Sequence, residues 1–117
     1  MKAVLTSLAV AALLACTQAA VAQDVAAGKK LFTDNCVRCH GAKGQGWVGK
    51  KLAGDAAYWD FPVFQRAVMT GIDDEGKKLK VMPVFEVTGF INPKGVMPTD
   101  HDLENIQAYL KTFGPPE

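Results

Sequence analysis

Apolar residues recur at helical spacing in three stretches of the chain, and no run alternates as a strand would. The spacing predicts helices over Asp24–Asn35 and Phe61–Thr70, and a last helix that opens at Thr99. Asp102, three residues after Thr99, makes an approximate capping box, and Gly71 can close the middle helix. The pattern therefore predicts an all-α fold. The predicted apolar faces of the first, middle and last helices are, in that order, Val25, Gly28, Leu31 and Phe32; Phe61, Phe64, Ala67 and Val68; and Leu103, Ile106, Ala108, Tyr109, Leu110 and Phe113.

A long stretch from Asp73 to Pro98 has neither a helical nor a strand period. Glycines and prolines punctuate it throughout, which is typical of a loop. A loop of this length in so small a domain is usually functional. We therefore expect this stretch to contribute to a site.

The first residues have the pattern of an export signal. Lys2 supplies a short positive region, Val4–Ala15 is apolar, and Ala20-Val21-Ala22 fits a small-x-small cleavage site. We predict a signal peptide over residues 1–22 and a single domain over residues 23–117, located in the periplasm.

Cys16 leaves an alternative for the N-terminus. Leu13-Leu14-Ala15-Cys16 resembles a bacterial lipoprotein box, so a form anchored to the membrane by lipid on Cys16 stays open. The whole chain has 13 basic and 12 acidic residues, and removal of Lys2 makes the numbers equal. A near-neutral chain of this kind gives no charge argument for nucleic-acid binding.

The candidate chemistry lies in Cys36-Val37-Arg38-Cys39-His40, because Cys-x-x-Cys-His is the attachment motif of c-type haem. In such a motif the two thiols form thioethers with the porphyrin, and the histidine is the proximal ligand of the iron. A zinc site would need a second ligand pair, and the other Cys and His, Cys16 and His101, do not form one. A redox dithiol would sit beside a βαβ pattern, which the chain lacks. We predict one covalently bound haem c.

From Asp24 to Gly114 the chain resembles class I c-type cytochromes. The resemblance rests on the haem motif, on Gly28 with Phe32 in the first helix, and on Tyr109-Leu110 in the last. It implies the small cytochrome c fold, in which the N- and C-terminal helices cross around the haem. Gly49-Lys50-Lys51-Leu52 is similar to the family's Gly-Pro-x-Leu segment, except that Lys50 replaces the proline whose carbonyl receives the bond from the proximal histidine.

The second axial ligand has two main candidates, because Val-Met-Pro occurs at Met82 and again at Met97. A thioether ligand would raise the potential, as an electron carrier requires. We favour Met82, because Gly71 to Pro83 is similar to the ligand-bearing segment of many bacterial cytochrome domains. Met97 is less favoured because it lies too near the start of the last helix, and His101 is a weaker third candidate.

The resemblance implies an electron-transfer protein and not an enzyme. We expect single electrons to pass from a periplasmic dehydrogenase to a downstream acceptor such as an oxidase or another cytochrome. The alternative is a gas- or ligand-binding haem sensor with an open sixth position on the iron. Six lysines fall in the two loops expected to border the haem, whereas acidic residues gather at Asp73–Glu75 and Asp100–Glu104. These lysines are Lys43, Lys50, Lys51, Lys77, Lys78 and Lys80. Trp47, Tyr58 and Trp59 are candidates for packing on the haem.

Overall fold

The computed structural model describes residues 22–117, and over that range the chain is helical. It has no strand there, although Ile72 and Lys78 form an isolated bridge. The helices are α1 (Val25–Asn35), α2 (Val37–His40), α3 (Phe61–Thr70), α4 (Phe85–Thr88) and α5 (Asp100–Lys111), with a 3₁₀ turn at Ala56–Tyr58. The predicted all-α class is confirmed. The signal peptide and the lipid site at Cys16 involve residues 1–21, which lie outside the described residues.

The predicted start signals of α1 and α5 and the predicted end of α3 are present in the structure. Helix α5 ends at Lys111, so Phe113, predicted for its apolar face, lies beyond the helix. The Asp24 side chain accepts a hydrogen bond from the amide of Ala27 and so caps α1. At α5, the Thr99 hydroxyl accepts from the Asp102 amide, and the Asp102 carboxylate accepts from the Thr99 amide. Helix α3 ends at Gly71, whose φ of 74° lies in the left-handed region. These short-range bonds explain why local sequence located the helices well.

Helices α1 and α5 pack closely at Gly28. A Cβ on this residue would overlap the backbone carbonyl of Asn105 and lie 2.9 Å from the amide nitrogen of Ile106. One turn further along α1, the rings of Phe32 and Tyr109 lie 5.7 Å apart, and Phe32 is fully buried. The glycine and the aromatic pair predicted to join the first and last helices therefore do so.

The long loop contains a feature that the sequence pattern did not reveal. Helix α4 occupies Phe85–Thr88 within the stretch predicted to be irregular. Phe85 is buried against Phe90, with ring centroids 6.1 Å apart. A helix of one turn is too short to show a 3.6-residue period, and it is held by this packing.

No helix among residues 22–117 has the length and apolar character needed to cross a membrane.

Candidate functional site

The core of the described domain is hollow and encloses an apolar cavity of about 280 Å³. Residues from all five helices and from both long loops line it. The structure brings Cys36, Cys39, His40 and Met82 together on this wall, although Met82 lies far from the others in sequence. Its apolar lining includes Phe32, Leu52, Phe64, Phe85, Phe90, Ile106 and Leu110.

The haem motif forms a single helical turn that continues from α1. Cys36 ends α1 by donating its amide to the carbonyl of Phe32 at 2.8 Å. Its own carbonyl then accepts from the amides of Cys39 at 3.2 Å and His40 at 3.0 Å. Cys36 and the four residues of α2 that follow it thus place both thiols and the imidazole on one wall of the cavity.

The imidazole of His40 is buried and fixed by one hydrogen bond. Its Nδ1 lies 2.7 Å from the carbonyl oxygen of Lys50. A carbonyl only accepts, so Nδ1 carries the proton and Nε2 keeps the lone pair that a metal can use. A backbone carbonyl does not depend on the side chain, and the bond therefore exists at Lys50 where the family has proline. At Gly49 a Cβ would lie 2.7 Å from the imidazole Cε1, so glycine lets this loop approach the ring.

The first thiol lies in an environment that disfavours charge. Burial and, to a lesser extent, the neighbouring Cys39 raise the pKa of the Cys36 thiol to about 12. The sulfur is therefore neutral at physiological pH. A thioether is also uncharged and fits this apolar position.

The two candidate methionines occupy different environments. Met82 is half-buried, lines the cavity and packs against the core, whereas Met97 is 47% exposed and takes no part in the cavity wall. His101 is exposed in the first turn of α5 and is also absent from the wall. Among the predicted candidates for a second ligand, Met82 alone shares the cavity with His40.

One acidic side chain, that of Asp73, lies on the cavity wall. Asp73 belongs to the acidic stretch Asp73–Glu75, but its side chain is only 8% exposed and lines the cavity. Its Oδ1 accepts from the amides of Glu75 at 3.0 Å and Lys77 at 2.8 Å, and Oδ2 lies 4.0 Å from the Lys50 ammonium. The sequence signal for this turn is Asp73 followed three residues later by Gly76, whose φ is positive.

Of the three aromatic residues predicted as candidates for packing on the haem, one lies on the cavity wall and two do not. Trp59 lines the cavity, whereas Trp47 is 80% exposed. Tyr58 is also outside the wall, and the Lys111 ammonium lies 5.7 Å from its ring centroid. Asn35, which sequence reasoning did not single out, lies on the wall immediately before Cys36.

These residues fit a haem better than a free metal ion. Within residues 22–117, no group of three or more His, Cys, Asp or Glu side chains is arranged to hold a metal. His40 and Met82 could supply only two ligands, so the remaining ligands would come from a macrocycle. Two thiols beside the histidine and an apolar wall match a covalently attached porphyrin.

An all-α domain with this cavity and this motif is typical of the small haem-binding proteins of the c type. The family model for cytochrome c matches residues 25–114. The chain therefore belongs to the cytochrome c family, as a class I protein with one haem. It is an electron carrier with covalently attached haem c, it acts with redox partners, and it is not an enzyme.

Among curated proteins, the chain is similar to cytochromes named c6. That of Picosynechococcus sp. is 32% identical over 98 residues, covering 78% of this chain and 74% of that protein. That of Thermosynechococcus vestitus is 29% identical over 104 residues, covering 89% and 83%. That of Thermostichus vulcanus is 28% identical over the same length. No solved structure gives a significant match to the chain.

Proposed function

We propose that Cys36 and Cys39 hold the haem through thioethers, that His40 is the proximal ligand and that Met82 is the distal ligand. The observation that carries this assignment is the shared cavity of all four residues, with the His40 ring fixed by the Lys50 carbonyl. Bound haem supplies one-electron chemistry through the ferric and ferrous states of its iron.

The residues of the chain then have distinct tasks. The Lys50 carbonyl orients the imidazole and raises its basicity, which strengthens a bond from Nε2. The thioether of Met82 favours the reduced state and so raises the potential. Apolar side chains such as Phe32 and Phe64 exclude water, which keeps the structural change on electron transfer small.

In this proposal the protein carries single electrons from a periplasmic dehydrogenase to a downstream oxidase or another cytochrome. Lys50 and Lys80 lie on the cavity wall and are exposed, with Lys77 and Lys78 close to Lys80 in sequence. A basic rim of this kind supports brief docking with an acidic surface. Lys77 also pairs with Glu75 at 3.0 Å, so part of its charge is balanced.

Export to the periplasm follows from the proposed signal peptide over residues 1–22. The family match begins at residue 25, which supports a mature domain over residues 23–117. Cys16 would then be removed with the signal.

Optical spectra of three forms of the protein test the ligand assignment. Ferric haem with a methionine ligand has a weak sulfur-to-iron band at the red end of the visible range. Met82→Ala should abolish this band and lower the potential by on the order of 0.1 V, within the span of about 0.8 V that axial ligands set. Met97→Ala, the matched control on an exposed side chain, should keep both.

The reverse pattern would assign the ligand to Met97. Absence of the band from the wild-type protein would instead support a His101 ligand or the open-site sensor.

A further inference from the structure

The segment from Val84 to Pro98 follows Met82-Pro83 and covers part of the cavity. It contributes Phe85, Phe90 and Ile91 to the wall. Phe85 and Phe90 are buried, whereas Ile91 is 54% exposed and so lies where the wall meets solvent. This segment therefore separates a part of the cavity from water.

The segment is closed largely by bonds within itself. The Phe90 amide donates to the Val96 carbonyl, and the Gly95 amide donates to the Phe90 carbonyl, each at 2.8 Å. A Cβ at Gly89 would lie 2.5 Å from the backbone of Gly95, so the two arms of the loop touch. Buried Phe85 and Phe90 pack this unit on the core, but hydrogen bonds that fix its position must come from outside it.

Asn35 provides that attachment. Its Oδ1 accepts from the amides of Ile91 at 2.8 Å and Asn92 at 3.1 Å, and its Nδ2 donates to the Asn92 carbonyl at 2.9 Å. Within residues 22–117, these three are the hydrogen bonds that join the segment to the rest of the chain. All of them converge on one buried side chain.

The chemistry of this position requires an amide. Nδ2 also donates to the Leu31 carbonyl at 2.9 Å, so Asn35 makes two donor and two acceptor bonds. Aspartate has no donor for the two carbonyls, and leucine has the shape but neither function. Asn35 is also the last residue of α1, adjacent to Cys36, so the attachment point is fixed to the haem motif.

We propose that Asn35 is a positioning residue that holds the segment 84–98 over the Met82 side of the haem and so excludes water and added ligands from the iron. This proposal rests on the haem site described under "Proposed function". Asn35 acts through the segment, and its removal should affect access to the iron more than the attachment of haem.

The test compares ferric holoprotein carrying Asn35→Leu, Asn35→Asp or, as control, Thr33→Val on an exposed site of the same helix. Imidazole binding, the reduction potential and hydrogen exchange of the Ile91 and Asn92 amides are measured. In Asn35→Leu the amides of Ile91 and Asn92 lose their acceptor, so both should exchange faster. The segment should then open more often, and the apparent imidazole affinity should rise by about tenfold or more. The potential should fall as water approaches the iron, and the control should match the wild type.

Asn35→Asp keeps the acceptor for the two amides, so its amide exchange and imidazole affinity should lie between those of the wild type and Asn35→Leu. This variant also provides the test if Asn35→Leu yields no holoprotein. Fast amide exchange with unchanged imidazole affinity and potential would overturn the proposal. Loss of the red band from wild-type protein would refute the Met82 assignment alone, since imidazole binding reports access whatever the native ligand is.

Discussion

Asp73 combines burial with a charge next to the cavity. Two backbone amides and the Lys50 ammonium face its carboxylate, and the same lysine supplies the carbonyl that fixes His40. The 4.0 Å pair with a half-exposed lysine is too long and too solvated to cancel the charge fully. Ferric haem has one more positive charge than ferrous haem, so this carboxylate favours the oxidised state.

We therefore expect Asp73→Asn to raise the reduction potential by on the order of tens of millivolts. Asparagine keeps an acceptor for the Glu75 and Lys77 amides, so the turn should persist. Potentiometric titration measures the shift, and Asp74→Asn, at an exposed neighbour, should change the potential less because water screens it. Equal shifts in the two variants would show that burial of Asp73 has no special effect.

Helices α1 and α5 depend on a contact that only glycine permits. The backbone of α5 at Asn105 and Ile106 occupies the space where a side chain at Gly28 would be. Because backbone atoms cannot rotate away as a side chain can, any larger residue would push the two helices apart. This pair of helices carries Phe32 and Leu110, both of which line the cavity, so their separation would also disturb the site.

Gly28→Ala should destabilise the protein by about 1–3 kcal/mol, because the added methyl group overpacks the contact between the helices. Helix propensity alone would give the opposite sign, since alanine is favoured over glycine by about 1 kcal/mol. Thermal or denaturant unfolding of the holoprotein distinguishes the two effects. The control Ala26→Gly, at an exposed position of the same helix, should cost only the propensity difference. A stabilised Gly28→Ala protein would mean that the helices move apart without penalty.

Across the protein, near-neutral net charge coexists with an uneven distribution of charges. Lys50 and Lys80 lie on the cavity wall with Lys77 and Lys78 near the second of them, whereas the acidic residues of α5 begin at its first turn. A local field of this kind affects encounter rates more than affinity. Its sign can be measured without knowing the natural partner, by using small redox reagents of opposite charge.

Changing Lys77, Lys78 and Lys80 together to Gln should slow electron exchange with ferricyanide by several-fold and speed it with hexaammineruthenium, because the first reagent is anionic and the second cationic. Both effects should shrink as salt rises, since screening acts over about 10 Å at 0.1 M. Stopped-flow absorbance gives the rates. A control triple at Lys29, Lys30 and Lys111, which lie off the cavity wall, removes the same charge. Identical behaviour of the two triples would leave only a global charge effect.

The sequence by itself determined the features that depend on neighbours along the chain. The caps at Asp24 and Thr99, the end of α3 at Gly71 and the haem motif are all set by residues within a few positions of each other. The family resemblance added the contact at Gly28 and the carbonyl bond to His40, ten residues from Lys50. Caps and turns leave a readable local pattern, whereas the contact of Gly28 with Asn105 joins residues far apart in the sequence and was predicted only through the family resemblance.

Apart from the Gly28 contact and the preference for Met82, which the family resemblance supplied, only the tertiary structure decided which distant residues meet. It buried Asp73, formed α4 by packing Phe85 on Phe90, set Met82 on the cavity wall and Met97 at the surface, and bonded Asn35 to Asn92 across 57 positions. Local pattern cannot specify such pairs, because both Val-Met-Pro segments have the same local preference and an asparagine at a helix end has many possible partners. The shape of the core around the cavity selects among them.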